Sequence, residues 1–184
     1  MDKIERKKLV ESRIDALIDE FDSFPDKFLT EEDLRSYLYH LLLDGFSKLE
    51  KTEDNSQSIS LHCEIRWYGQ SQDLTYRSDI VIFDVSQLKT KKSNIKLPSK
   101  GYGFNNPFVI IEIKLRRKNG KSDFQYKTKL EEDRKKLYEI KSKVVELGTN
   151  IHTYLLGFDK KTNINFDIKS DEFHKEYYTY SEVN

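Results

Sequence analysis

Residues 107–117, PFVIIEIKLRR, constrain the fold of this chain more than any other stretch. Phe108, Val109, Ile110 and Ile111 run together and Ile113 follows after a break, which is the pattern of a buried strand. Two charges, Glu112 and Lys114, interrupt it two residues apart. Side chains alternate along a strand, so Glu112 and Lys114 share one face, while Ile111, Ile113 and Leu115 share the other. The charges are therefore gathered on one face near the strand's end, where a sheet commonly opens to solvent.

The surrounding pattern supplies a sheet for that strand to join. Residues 3–22 carry Val10, Ile14, Leu17, Ile18 and Phe21 on one stripe at helical spacing, and SFPDKF ends that helix. A second helix begins after Thr30, a good N-cap followed by acids at 31–33 that suit the positive end of the helix dipole. Its apolar face is Leu34, Tyr37, Leu38, Leu41 and Leu42, and Gly45 is the expected stop. KTEDNSQS reads as a polar loop. Strands are expected over 58–68 and 76–85, joined as a hairpin through GQSQD. The lysine-rich stretch from 86 to 106 has no periodicity and reads as a mobile loop. After the opening strand come a turn and a long helix, with Ser122 and Gln125 as a capping box, and then a strand at IHTYLLGFD. The last residues are expected to add one more strand and a short helix. The order predicts an α/β layer fold with a mixed sheet of four to five strands flanked by helices. With 184 residues and no linker or repeat, the expectation is a single domain: an N-terminal helix (3–22), a core of about 28–160 and a C-terminal extension (161–184).

Composition narrows the function classes. The single cysteine, Cys63, excludes a disulfide framework and any four-cysteine metal site. No stretch reaches the apolar length of a membrane span, and the charged N-terminus lacks a signal-peptide core, so a cytoplasmic protein is expected. The net charge is zero, but residues 86–143 hold 17 Lys/Arg against 6 Asp/Glu, a local excess of +11 that the rest of the chain cancels. Such a segment presents a field to a polyanion, or is a solvated lysine-rich surface.

Asp79 opens the apolar run IVIF of the second hairpin strand. If that strand lies beside the opening one, Asp79 and Glu112 converge. Two adjacent carboxylates repel unless a cation sits between them, and oxygen-only ligands suit Mg²⁺ or Mn²⁺ rather than zinc. A lysine beside such an ion positions a water and stabilises charge on a phosphoryl oxygen. The alternative is an ion pair between Glu112 and Lys114 on an exposed strand end, with Asp79 a turn acid.

SD at 78–79 followed by EIK at 112–114, each on a strand, resembles the PD-(D/E)XK nuclease superfamily, the restriction-endonuclease-like fold. That family also carries a glutamate on a helix ahead of the hairpin, and TEEDLRSYLYHLL is similar to that helix. Glu31, in line with Leu34 and Leu38, suits the role better than Glu32, which points nearer the flank. Ser78 stands where the family has its proline. The resemblance spans about residues 28–160. It implies a metal-dependent DNA endonuclease, with Asp79, Glu112 and the Ile113 backbone carbonyl holding Mg²⁺ (or Mn²⁺), Lys114 acting on the water and Glu31 completing the catalytic set. The alternative is a non-catalytic nucleic-acid-binding or protein-interaction module on the same fold. Specificity would come from loops, from a homodimer or from a partner protein.

Further residues follow from their position around that site. KLRRKNGK leaves the strand directly, which makes Arg116, Arg117, Lys118 and Lys121 candidates for DNA phosphates. Arg77, just before the SD, suits a phosphate or carboxylate partner, or a cross-strand salt bridge. Tyr102 and Phe104 either stack on bases or anchor their loop. Asp133 falls within the apolar stripe Leu130, Leu137, Ile140, Val144 of the long helix, where a carboxylate needs a partner such as a backbone amide, Lys136 or Arg77. It is read as supporting the site. The four histidines lack metal-ligand spacing, GYGFNN is not a phosphate loop, and no nucleophile elbow is present.

Overall fold

A computed structural model describes residues 2–68, 74–90, 105–146, 151–161 and 175–180. Two helices come first, α1 (Lys3–Ser23) and α2 (Glu31–Phe46). A two-stranded ribbon follows, β1 (Glu50–Lys51) with β2 (Gln57–Ser58). Next come β3 (Leu61–Tyr68), β4 (Leu74–Phe83), β5 (Pro107–Arg116), α3 (Asp123–Glu146), β6 (His152–Asp159) and β7 (Lys175–Tyr180). The main sheet has the order β3-β4-β5-β6-β7. β3, β4 and β5 are antiparallel neighbours, whereas β5–β6 and β6–β7 are parallel, so the sheet is mixed and the fold is α/β.

β5 is the central strand, which accounts for its apolar run: it is covered on both faces. One face packs Ile80, Ile82, Val109, Ile111, Ile113, Tyr154, Leu156 and Phe158 against Val10, Ile14, Leu17 and Phe21 of α1 and Leu34, Leu38 and Leu42 of α2. The other packs Ile65, Trp67, Val81, Ile110 and Leu155 against Tyr126, Leu130, Leu137 and Ile140 of α3. Along β5 the period of two is kept until Glu112 and Lys114 take the positions that Ile110 begins on the α3 side.

Local signals act as their chemistry dictates. The Thr30 side chain accepts from the Asp33 amide, and Asp33 reaches back to the Thr30 amide. Ser122 and Gln125 make the same reciprocal pair ahead of α3. Three expectations are corrected. Gly45 does not stop α2, because Phe46 is buried in the core and holds the last turn, and Ser47 N–H closes it on the Leu43 carbonyl. The polar stretch 51–58 is not all loop, since its ends pair as the β1–β2 ribbon. The third strand starts at Leu61 rather than 58. GQSQD, Tyr102, Phe104 and the short C-terminal helix lie outside the described residues. Among the described residues no helix is long and apolar enough to cross a membrane.

A buried carboxylate–lysine cluster at the end of the central strand

The antiparallel pairing of β4 with β5 ends at Ile80–Ile111, and Asp79 and Glu112 are the next residues along the two strands, near enough that the charge of Asp79 acts on Glu112. Asp79 Oδ2 accepts from the Ile113 N–H at 2.8 Å. Thus the structure ties the amide of Ile113 to the cluster. Glu112 is 2% exposed, so the strand does not open to solvent at this residue. Its Oε2 lies 2.6 Å from Lys136 Nζ of α3, and its Oε1 is buried with no hydrogen-bond partner. Lys114 is not the partner of Glu112. Its ammonium lies 3.1 Å from Asp133 and 3.6 Å from Glu31. Glu31 begins α2, and its Oε1 accepts from the Leu115 N–H at 3.2 Å, whereas Glu32 is exposed. Asp79, Glu112, Lys114 and Glu31 are therefore brought to one end of the sheet, with Glu31 rather than Glu32 turned to it. Asp133 bridges Lys114 and Lys136, and Arg77 is not its partner.

A second group of charges borders Asp79. Arg35 on α2 pairs with Glu64 and lies 3.6 Å from Asp79. Arg77, 64% exposed, bridges across strands to Glu64 at 2.7 Å. Glu64 and Asp79 lie between the pairs Cys63–Ile80 and Ile65–Ser78, and Glu64 has φ of +59°, a left-handed conformation uncommon outside glycine. Such strain persists only where the surroundings enforce it, and here two arginines hold the side chain. Ser78 is fully buried, and its hydroxyl accepts from the Trp67 indole N–H at 2.8 Å.

Burial dominates the carboxylates of the cluster, and ion pairing dominates its lysines. Burial, opposed by Lys136 and aided by the charges of Asp79 and Asp133, pushes the Glu112 carboxyl up to about 8. Burial also raises Asp79, against the Ile113 hydrogen bond and the charges of Lys136, Lys114 and Arg35. For Lys114, burial works against the charged form, but Asp133 and Glu31 outweigh it and hold its pKa above the usual lysine value. Lys136 behaves likewise, with Glu112 and Asp133 outweighing burial. Both lysines are firmly ammonium groups: they donate and stabilise negative charge but do not act as bases. Burial pushes the Cys63 thiol up to about 11, which disfavours the thiolate.

The expected DNA-contacting residues divide. Arg116 is corrected: it is 1% exposed, its Nε donates to Asp159 at 2.8 Å, and its remaining donors pair with Asp159 and Asp123. It stacks over the Tyr126 ring, 5.2 Å from the centroid. The parallel pairing of Arg116 with Asp159 explains this, since β6 brings an acid alongside it. Arg117, Lys118 and Lys121 are exposed, with Lys118 lying 3.1 Å from Asp26. Sequence reasoning missed Lys136 as a partner of Glu112, and it missed Arg35 and Glu64 entirely. The available signals were Lys136 one turn after Asp133, Arg35 one turn after Glu31, and a glutamate inside an otherwise half-apolar strand.

Among the described residues no three His, Cys, Asp or Glu side chains gather as a self-sufficient metal cage. Asp79 and Glu112 are two carboxylates, and Mg²⁺ is commonly held by one or two carboxylates with water and substrate phosphate making up the shell. The unpartnered, buried Oε1 of Glu112 is the feature that fits an ion, because a buried carboxylate oxygen without a donor is costly as it stands. The donors are all oxygen, which suits a hard cation. No protein-family model matches the chain, and neither a curated protein nor a solved structure is significantly similar to it.

Proposed function

We propose that this chain is a metal-dependent deoxyribonuclease of the PD-(D/E)XK type, with a restriction-endonuclease-like core, that hydrolyses phosphodiester bonds in DNA. The observation that carries the reading is the pair of neighbouring carboxylates, Asp79 and Glu112, with Glu112 Oε1 buried and unpartnered and Lys114 two residues on. Asp79, Glu112 and the Ile113 carbonyl would hold Mg²⁺ or Mn²⁺. When bound, the ion neutralises phosphate charge and acidifies water. Lys114, kept protonated by Asp133 and Glu31, donates to the attacking water or to a non-bridging phosphate oxygen as charge develops there. Glu31 orients Lys114 and ties α2 to β5 through the Leu115 amide. Tyr126 fixes the strand ends beside the lysine, donating to the Phe158 carbonyl at 2.9 Å and the Lys114 carbonyl at 3.3 Å. Arg77, Arg117, Lys118 and Lys121 would meet the phosphate backbone, and specificity would come from loops, a homodimer or a partner protein.

Purified protein incubated with supercoiled, linear and single-stranded DNA is expected to cleave at least one form with Mg²⁺ or Mn²⁺ and none with EDTA. A second reading, a non-catalytic DNA-binding module, is favoured by one observation: the ammonium groups of Lys114 and Lys136 already neutralise carboxylates of the cluster. Binding without cleavage under every metal condition would decide for it.

Both readings predict salt-dependent binding. Replacing Arg117, Lys118 and Lys121 together by glutamine is expected to weaken binding to all sequences alike. It should also reduce the log–log salt slope by up to ~2.7, since each lost phosphate contact removes about 0.9. A slope unchanged in a fluorescence-anisotropy titration would show these side chains to be a solvated surface.

A further inference from the structure

The proposed chemistry depends on how Glu112 is held, and Lys136 is the group that holds it. The ammonium of Lys136 has three donors and three oxygen acceptors: Glu112 Oε2 at 2.6 Å, Asp133 Oδ1 at 3.1 Å and the Arg77 carbonyl at 3.1 Å. These acceptors come from β5, α3 and β4, so one side chain ties both strands of the carboxylate pair to the helix that covers them. Its side chain is 14% exposed and that of Glu112 is 3% exposed. Lys136 takes only one oxygen of Glu112 and leaves Oε1 without a partner. Asp79 is treated in a related way: the Ile113 amide holds Oδ2, and Arg35 approaches Oδ1 at 3.6 Å.

We infer that Lys136 is a positioning residue for the cation site: it clamps Oε2 of Glu112 so that Oε1 is presented to a divalent ion. This rests on the reading of Asp79 and Glu112 as metal ligands. A carboxylate with both oxygens free rotates about its last torsion, and burying it without a partner is unfavourable. A ligating carboxylate is characteristically hydrogen-bonded by a neighbour that fixes its orientation, and losing that neighbour costs on the order of 10–100-fold in metal affinity. Two effects of the ammonium oppose each other. Its charge repels an incoming cation, whereas its hydrogen bond to Oε2 fixes the orientation of the ligand. The unpartnered Oε1 argues for the second, because Lys136 does not occupy the oxygen an ion would use. Asp133 then serves to hold both lysines, with Lys114 on one oxygen and Lys136 on the other.

The test is calorimetric titration of Mn²⁺ into the metal-free full-length protein, wild type against Lys136→Met and Lys136→Arg, with melting curves in EDTA to monitor folding. Lys136→Met is expected to bind Mn²⁺ on the order of 10–100-fold more weakly, and Lys136→Arg, which still donates to Glu112, to recover much of the loss. A purely structural role would lower the melting temperature of the metal-free protein without changing Mn²⁺ affinity in the folded fraction. If Lys136→Met does not fold, Lys136→Ala, which also removes the donor, is judged by the same criterion. Affinity that is unchanged or tighter in a folded variant lacking the donor overturns the inference and leaves the metal site standing. A wild-type protein that takes up no Mn²⁺ overturns the metal-site reading, and the inference with it.

Discussion

Glu112→Gln is expected to abolish DNA cleavage, and Lys114→Ala to lower it on the order of 10²–10³-fold, with DNA binding in EDTA retained in both. The two variants differ in metal binding. Glutamine preserves the shape of Glu112 but presents a neutral oxygen to the ion, so Mn²⁺ affinity falls. Lys114 touches Asp133 and Glu31 and is not a ligand, so its removal leaves Mn²⁺ affinity largely in place. Cleavage at the wild-type rate by both variants would locate the activity elsewhere. The metal-free fold supplies an independent check. The folded pKa of Glu112, about 8, lies above its ordinary value of 4.5. The folded state therefore holds this proton more tightly than the unfolded chain does. The corresponding stability is fully present below about pH 4.5 and is lost as pH rises through about 8. Glutamine carries no such proton, so the variant should melt nearly as wild type does at low pH and above it at high pH, in EDTA. Equal pH dependence of the two melting temperatures would show that Glu112 is not held in this environment.

Arg116→Met is expected to destabilise the protein by about 3–5 kcal/mol, the cost of stranding a buried charge. Asp159 is the stranded partner, at 1% exposure, whereas Asp123 is solvated enough to lose its arginine cheaply. The double variant Arg116→Met/Asp159→Asn leaves no buried charge unpaired and should recover much of the loss. Denaturant unfolding of the two variants measures both values. A loss below about 1 kcal/mol in the single variant, the range of an exposed pair, would mean that the cluster is hydrated in solution. By contrast, neutralising Arg117 next to it should leave the unfolding midpoint nearly unchanged, because that side chain is exposed. Adjacent arginines thus separate folding from proposed DNA contact.

The elements of this fold were legible because they rest on local rules. Capping residues at Thr30 and Ser122, the helical stripes of α1, α2 and α3, and the run of β-branched residues in β5 each act within a few residues of one another. The alternation of a strand also put Glu112 and Lys114 on one side of the sheet, whereas bringing Asp79 beside Glu112 required β4 to pair with β5, which no local rule dictates. Partner choice was not legible. Glu112 is paired by a lysine 24 positions away, Lys114 by carboxylates from two different helices, and Arg116 by an acid 43 positions away, so an arginine that reads as a surface cation is part of the core. The sequence by itself determined which segments become helices and strands and which side chains share a face, because backbone geometry repeats every 3.6 or 2 residues. Only the tertiary structure decided which charges are desolvated and who neutralises them. Burial is a property of the packed layers, and the interaction of two charges depends on their distance and the medium between them, neither of which is written in sequence spacing.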